Sequence, residues 1–156
     1  MMTYRIDATR RLRFDEAAAR TFDAYRTVRR VEAGGILLGR VYASEIVVEA
    51  ATTPNPADRA GRFFFDRSHG VAQAAVNAAW KASEGEQLYL GEWHSHPAKV
   101  AEPSGRDQQM ILNNLHDAKM DLDFLVLLVL GTRMDWVGLA QNGKLRRLTR
   151  VTTPEE

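Results

Sequence analysis

The sequence GEWHSHPAKVAEPSGRD, residues Gly91–Asp107, holds the most informative spacing in the chain. Its first part belongs to the run LYLGEWH, which we predict to be a β-strand that ends at Pro97, because proline cannot donate a ladder hydrogen bond. His94 and His96 lie two residues apart, so both imidazoles leave the same face of a strand. Such a pair is either half of a metal site or two hydrogen-bonded histidines at a strand end.

Asp107 is a candidate third ligand, at the start of the next predicted helix. We predict that helix from Ser104 to about His116. Ser104 precedes Asp107 by three residues, the spacing of a capping box in which each side chain caps the other residue's backbone. Such a cap is compatible with a ligand role, because it holds both side chains rigidly. Two histidines and one carboxylate leave the fourth position of zinc open, as in catalytic sites.

A water activated by a metal needs a base, and the candidate is Glu32, which opens the segment EAGGILLG. We expect this segment to form a strand beside the histidines. Considered alone, Glu32 would be an exposed carboxylate near a turn. Gly34 and Gly35 either terminate a helix or let the backbone bring Glu32 up to the metal.

Composition excludes several other classes of site. The chain has 156 residues, 45% hydrophobic and 26% charged, which fits one globular domain over residues 1–156. Without cysteine, disulfides, thiol catalysis, iron–sulfur clusters and thiolate zinc sites are excluded. A net charge of +1 gives no argument for nucleic acid or a membrane. The longest apolar run, Phe124–Leu130, is too short to span a bilayer, and the N-terminus lacks a signal-peptide core, so we expect a cytoplasmic protein.

The N-terminal half reads as strand, helix, two strands and helix. We predict a strand at residues 3–7, then a helix whose apolar residues recur at Phe14, Ala18, Phe22, Tyr25 and Val28 or Arg29. The runs GILLGRVY and EIVVEAA follow as antiparallel strands. Next we predict a loop at residues 53–62, a short strand at Phe63–Phe65, and a helix from about Arg67 to Lys81 with Asp66 or Ser68 as its N-cap.

The C-terminal third reads as three strands, with sequences FLVLLVL, MDWVGLA and KLRRLTRV. An Asn142-Gly143 turn is predicted between the last two. The uninterrupted apolar run FLVLLVL indicates a central strand covered on both faces. Three helices against a mixed central β-sheet predict an α/β (α+β) domain with a single core.

Taken together, Glu32, His94-Ser95-His96-Pro97, Ser104 and Asp107 resemble the JAB/JAMM metalloprotease motif of the MPN domain. That motif has a distant glutamate, His-x-His, seven residues, serine, two residues and aspartate. Here seven residues separate His96 from Ser104 and two separate Ser104 from Asp107. The flanks EAGGILLGR and YLGEWHSHP are also similar to the family, and the resemblance covers nearly the whole chain. It implies a cytidine-deaminase-like fold.

The resemblance also implies a role for each motif residue. His94, His96 and Asp107 correspond to the ligands of one Zn²⁺ per chain. Glu32 corresponds to the general acid/base that deprotonates the attacking water and later protonates the departing amine. Ser104 corresponds to the hydroxyl donor to the oxyanion. The implied reaction is hydrolysis of an amide or isopeptide bond.

Within the family, the phrases TTPNPADRAGRFFFD and YLGEWHSHP are similar to a small bacterial stand-alone branch. That branch includes deconjugating peptidases encoded with E1- and E2-like proteins in antiphage operons. The implied substrate is either the C-terminal tail of a nucleotide cyclase in CBASS or a ubiquitin-like modifier in ubiquitination-like operons. Neither membrane nor nucleic acid is an expected partner.

Residues 54–66 occupy the place where relatives carry a substrate-binding insertion. Arg59, Arg62 and Phe63 are therefore candidate lining residues of a groove for an extended tail, bound by strand addition. The alternative is an ordinary surface loop anchored by aromatic residues. We expect Trp93 to pack in the core.

Three other functions stay open on the sequence alone. A non-catalytic MPN interaction module is opposed by the intact motif. A zinc amidase acting on small molecules or free peptides would show no preference for a folded modifier. A nucleic-acid-binding domain is opposed by the charge of +1. The basic run Lys144–Arg150 lacks stacking aromatic residues and is predicted to be a solvated edge strand protected by its charge.

Overall fold

The computed structural model describes residues 2–27, 30–118 and 122–152. Within these ranges the chain forms a mixed sheet of nine strands, a separate two-stranded hairpin and three helices. The strands are β1 Met2–Arg5, β2 Arg11–Phe14, β3 Gly34–Val41, β4 Glu45–Ala51, β5 Arg59–Ala60, β6 Phe65–Asp66, β7 Leu88–Ser95, β8 Phe124–Leu130, β9 Trp136–Gln141, β10 Lys144–Arg147 and β11 Thr149–Arg150. The helices are α1 Glu16–Asp23, α2 His69–Ala82 and α3 Gly105–Asp117. The predicted α/β architecture is confirmed.

The large sheet curls until its two edges meet. Its strand order is β10-β9-β8-β7-β3-β4-β2-β1-β11, so β10 and β11 lie at opposite ends. These two strands are nevertheless separated by only one residue, Leu148, which is 3% exposed. The run KLRRLTRV is therefore two strands and not the single strand we predicted. It divides because the buried Leu148 side chain joins the core while the flanking basic residues stay at the sheet edges.

Helix α1 packs on one face of this sheet through an aromatic cluster. The rings of Phe14, Phe22 and Trp93 meet edge to face, with centroids 5.8 Å apart for the first pair and 5.5 Å for the second. All three side chains are fully buried, and burying each contributes about 1.5–3 kcal/mol. The indole N–H of Trp93 donates to the Thr52 carbonyl at 2.8 Å. The prediction that Trp93 is a core residue is confirmed.

Helices α2 and α3 cover the opposite face of the sheet. Ile111 of α3 packs with Leu125 and Leu127 of β8, whereas Val126 and Leu128 of the same strand belong to the core around α1. Strand β8 is thus central and covered on both faces, as its apolar run predicted. None of the described helices has the length and hydropathy of a transmembrane span.

The first helix is shorter than its periodicity predicted. Phe14 belongs to β2, where it pairs with Val48 of β4, and the helix begins after Asp15, whose side chain accepts a hydrogen bond from the Ala18 amide at 3.0 Å. Tyr25 lies beyond the end of the helix, and Val28 and Arg29 lie outside the described residues. The apolar spacing misleads here because one buried cluster takes residues from both strand and helix.

Most other element boundaries lie within a few residues of their predicted positions, but two strands were not predicted at all. Strand β2 was not predicted, and the predicted loop at 53–62 contains β5, which pairs with β6. The short strand expected at Phe63–Phe65 is Phe65–Asp66. Ser68 is the N-cap of α2, one of the two predicted candidates. The Asn142-Gly143 turn is confirmed, with φ values of 54° and 73° that suit a two-residue hairpin.

Candidate metal centre and active site

The candidate site lies where β3 and β7 meet. These strands are antiparallel neighbours, and their register places Gly34 opposite His94. Glu32 precedes β3 by two residues, so it lies beside the end of β7 where the histidines are. His94 is in β7, and His96 comes just after the last strand residue, with its amide still donating to the Leu130 carbonyl at 2.8 Å. The expectation that the segment opened by Glu32 forms a strand beside the histidines is confirmed.

Both histidines contact one carboxylate from α3. His94 Nδ1 lies 3.1 Å from Asp107 Oδ1, and His96 Nε2 lies 3.0 Å from Asp107 Oδ2. The predicted capping box holds Asp107 in place: Ser104 Oγ accepts from the Asp107 amide at 3.0 Å, and Asp107 Oδ2 accepts from the Ser104 amide at 2.9 Å. The cap and the cluster therefore use the same two side chains.

Glu32 completes the cluster. It is 7% exposed, and its Oε1 lies 3.8 Å from His96 Nε2. Burial raises the pKa of Glu32, although the His96 and His94 imidazoles oppose that shift. The hydrogen bond to Asp107 raises the pKa of His96. For Asp107, burial acts to raise the pKa, but hydrogen bonds from His94 and His96 outweigh it and hold the pKa well below its usual range.

The donor set fits zinc. Two imidazoles and one carboxylate are ligands that Zn²⁺ takes in catalytic sites. The two donor–donor separations, 3.0 and 3.1 Å, are close to the roughly 3.3 Å between neighbouring ligand atoms of a tetrahedral zinc ion. The histidines contact different oxygens of Asp107. Within residues 2–27, 30–118 and 122–152 no group of three or more His, Asp or Glu side chains is arranged to hold a metal ion.

Two glycines allow close packing at the start of β3. A Cβ on Gly34 would lie 2.6 Å from the Phe65 ring and 2.7 Å from the Trp93 carbonyl, and one on Gly35 would lie 2.2 Å from the Thr52 carbonyl. Phe65 in turn packs edge to face on His94, with ring centroids 5.6 Å apart. Gly34 and Gly35 begin a strand and do not terminate a helix, since α1 has already ended.

The β5–β6 hairpin is attached directly to the site. The Glu32 amide donates to the Gly61 carbonyl at 2.7 Å. Arg106, beside Asp107 in α3, pairs with Asp66 at 2.7 Å and lies over the Phe64 ring at 5.1 Å. The segment around residues 54–66 is therefore anchored to both Glu32 and helix α3.

The structure places the three candidate groove residues on this hairpin. Arg59 is exposed in β5, and Arg62 and Phe63 form the exposed tip, with the Arg62 guanidinium 5.4 Å from the Phe63 ring centre. Phe63 is 76% exposed, which is unusual for a side chain of its size. Their role in binding a substrate stays a prediction.

Sequence reasoning missed a buried ion pair next to the site. Glu92 lies two residues before His94 in β7 and is 2% exposed. Its carboxylate accepts from Arg67 at 2.7 Å and from the Tyr89 hydroxyl. Glu92, His94 and His96 form the pattern E-x-H-x-H, so strand alternation could have placed Glu92 on the same face.

The chain is similar to a known protein family and to named relatives. The family described as prokaryotic homologs of the JAB domain matches residues 16–148. A Pseudomonas aeruginosa protein named CD-NTase/cGAS isopeptidase is 43% identical over 77 residues, 49% of this chain and 49% of that protein. A Vibrio cholerae protein of the same name is 33% identical over 107 residues, 69% of this chain and 66% of that one. The matched segment thus spans between half and two thirds of these two relatives.

A solved structure shows the same fold. The solution structure of a Desulfitobacterium hafniense protein superposes with a TM-score of 0.63 at 19% identity, covering 87% of this chain and 88% of that one. The family match covers most of the chain and includes all five motif residues from Glu32 to Asp107. The chain belongs to the prokaryotic homologs of the JAB domain.

Proposed function

We propose that the chain is a zinc-dependent isopeptidase or peptidase that cleaves the amide bond after the C-terminal tail of a conjugated protein. The observation that carries this proposal is the buried cluster in which Glu32 lies beside His94, His96 and Asp107. A base next to three ligands is the composition that amide hydrolysis needs. The hydroxyl of Ser104, exposed at the cap of α3, adds a donor next to this cluster.

Each side chain has a defined task in this proposal. His94, His96 and Asp107 would hold the zinc ion, which when bound lowers the pKa of water to about 7 and polarises the scissile carbonyl. Glu32 takes the proton of the attacking water on its carboxylate and gives it to the departing amine. Ser104 Oγ accepts from the Asp107 amide, so its own O–H is left to donate to the oxyanion.

The β5–β6 hairpin is the proposed binding surface for the tail. Phe63 offers a large exposed apolar surface, and Arg59 and Arg62 offer donors to backbone carbonyls or carboxylates of an extended peptide. The bond from the Glu32 amide to Gly61 places this hairpin beside the base. Phe63→Ala should therefore raise KM for a tail-linked substrate with little change in kcat. The matched control is Tyr42→Ala, which removes another exposed aromatic side chain, at the β3–β4 turn.

The names of the relatives favour one substrate class. Both relatives are named CD-NTase/cGAS isopeptidase. Of the two substrates that the sequence suggested, this name supports the nucleotide cyclase conjugated through its C-terminus in CBASS over a ubiquitin-like modifier. E1- and E2-like proteins would then make the conjugate that this chain removes.

The test compares conjugates in the native host. Cells carrying either wild-type protein or Glu32→Ala would be analysed by mass spectrometry for lysine-linked tails. We expect branched peptides to accumulate in the Glu32→Ala cells, and the tail sequence would identify the conjugated protein. Glu16→Ala is the matched control, because Glu16 is an exposed carboxylate in an α1 surface pair with Arg20.

Two outcomes would contradict the proposal. Equal conjugate levels in the three strains, with conjugation shown to be active, would reject deconjugation and favour an amidase acting on small molecules or free peptides. Accumulation in the Glu16→Ala strain as well would show that the effect does not depend on the candidate base.

A further inference from the structure

Glu32 is held outside regular secondary structure. Strand β3 begins at Gly34, so the sheet ladder does not fix the peptide between Glu32 and Ala33. A base must nevertheless keep its carboxylate at a constant position relative to the reacting atoms. The contacts that fix this peptide therefore matter for any reaction in which Glu32 takes part.

The side chain of Ser95 extends the ladder by one residue. Its Oγ accepts a hydrogen bond from the Ala33 amide at 2.9 Å, and the Ser95 amide donates to the Ala33 carbonyl at 2.9 Å. In a regular antiparallel pair the Ala33 amide would instead donate to a backbone carbonyl of the neighbouring strand. Here the serine hydroxyl takes that place, so the chain holds Ala33 firmly where the strand has not yet begun.

This contact is buried and lies between the two histidines. Ser95 is 5% exposed and Ala33 is 3% exposed, so water does not replace the bond. Ser95 is the residue between His94 and His96. One three-residue segment thus carries two ligand-type side chains and, between them, the hydroxyl that anchors the residue after the base.

We propose that Ser95 is a positioning residue: its hydroxyl fixes the Glu32–Ala33 peptide and thereby holds the Glu32 carboxylate beside His96. The inference rests on the proposed function, since it assigns Ser95 a part in that reaction through Glu32. Ser95 contacts neither substrate nor metal in this role, so its removal changes turnover and leaves the ligand set unchanged.

The decisive variants are Ser95→Ala, which deletes the hydroxyl, and Ser95→Thr, which keeps it. Thr52→Val is the matched control. Thr52 Oγ1 accepts from the Ile36 amide at 2.9 Å, so the control removes the same kind of bond from β3, three residues beyond Ala33. For each protein we would measure zinc affinity, kcat and KM on a tail-linked conjugate, and amide hydrogen exchange of the metal-free form.

We expect Ser95→Ala to lower kcat by about 10- to 100-fold, because a misplacement of about 1 Å can cost 100-fold. KM and zinc affinity should be unchanged, and Ser95→Thr should restore kcat. The Ala33 amide should exchange faster in Ser95→Ala but not in Thr52→Val. In a Glu32→Ala background, Ser95→Ala should cause no further loss, because its effect passes through Glu32.

Several results would overturn the assignment. The positioning role would be rejected by a wild-type kcat in Ser95→Ala, or by an equal loss of kcat in Thr52→Val. It would also be rejected if Ser95→Ala lowered kcat as much in the Glu32→Ala background as in the wild-type background. Each of these results would leave the proposed function in place. Absence of turnover by zinc-loaded wild-type protein on the conjugate would instead reject the proposed function, and the Ser95 assignment with it.

Discussion

The two faces of strand β7 differ in chemistry although they belong to the same eight residues. Leu90 and Trp93 face α1 and are fully buried among apolar side chains. Glu92 and His94 are almost as deeply buried but are hydrogen-bonded to charged or polar partners on the other face. One strand therefore supplies both the core and the site, and the difference indicates which substitutions should affect stability and which should affect activity.

A bulge in β7 makes this division possible. The register passes from Leu37 opposite Gly91 to Leu38 opposite Tyr89, so Leu90 is the extra residue. Leu90 and Trp93, three residues apart, then face the same core. A Cβ on Gly91 would lie 1.8 Å from the Val126 carbonyl, and the φ of Gly91 is +156°, so the bulge requires glycine at this position.

The largest effect is expected on the polar face. Asp107→Ala removes one proposed ligand and the contact shared by both histidines, so zinc binding and turnover should be lost together. Calorimetric zinc titration and a hydrolysis assay on the conjugate measure the two. The control is Asp117→Ala, which removes an exposed carboxylate at the end of the same helix. Wild-type zinc affinity in Asp107→Ala would show that Asp107 is not a ligand.

Substitutions on the apolar face should change the free energy of unfolding and leave zinc binding unchanged. Phe22→Ala deletes a fully buried ring that contacts Trp93, and should lower the free energy of unfolding by about 3–5 kcal/mol. The folded fraction should bind zinc with unchanged affinity. Urea denaturation measures the change, with exposed Phe63→Ala as the control expected to shift stability by less than about 0.5 kcal/mol. Loss of zinc affinity in folded Phe22→Ala would show that the two faces are not separable.

Ser104→Ala should affect both stability and turnover, because Ser104 is at once a helix cap and the proposed oxyanion donor. Removing one oxyanion donor typically slows turnover by about 10²–10³-fold. Losing the cap costs only about 1 kcal/mol of folding stability. Ser104→Gly keeps most of the capping stability without the hydroxyl, since glycine is a tolerated N-cap. Normal turnover in both variants would show that Ser104 acts only as a helix cap.

The Glu92–Arg67 pair belongs to the polar face of β7, yet we assign it a structural role. Glu92→Gln leaves Arg67 without its charge partner, and we expect a loss of about 2–3 kcal/mol in the free energy of unfolding. That lies below the roughly 3–5 kcal/mol of a fully buried pair, since Arg67 remains 17% exposed. Urea denaturation would measure it. A change as small as that of the surface pair variant Glu16→Ala would mean that the buried pair does not stabilise the fold.

The site was predictable because its spacing is local. The two-residue step from His94 to His96 and the three-residue step of the cap each fix side-chain direction without knowledge of the rest of the fold. Glu32 was chosen as the candidate base because it opens the strand expected beside the histidines, and the family motif then supported that choice. The positioning contact of Ser95 and the Glu92–Arg67 pair were missed, because both depend on which strands and loops become neighbours.

The fold was less predictable at its edges than at its centre. The apolar run of β8 identified a central strand, since only burial on both faces explains seven consecutive apolar residues. Phe14 was assigned to a helix because its spacing from Ala18 and Phe22 is helical, whereas a cluster formed by a strand and a helix gives the same spacing. The closure of the sheet through Leu148 has no local signal, because its two neighbouring strands pair with opposite ends of the sheet.

In the proposed reaction Glu32 acts on the substrate and is not a metal ligand. The most direct measurement compares wild-type protein with Glu32→Ala, using zinc titration and single-turnover hydrolysis of the tail-linked conjugate. We expect unchanged zinc affinity and a loss of turnover of about 10²–10⁴-fold, the usual contribution of a general acid/base. Loss of zinc by Glu32→Ala, or turnover at the wild-type rate, would contradict it.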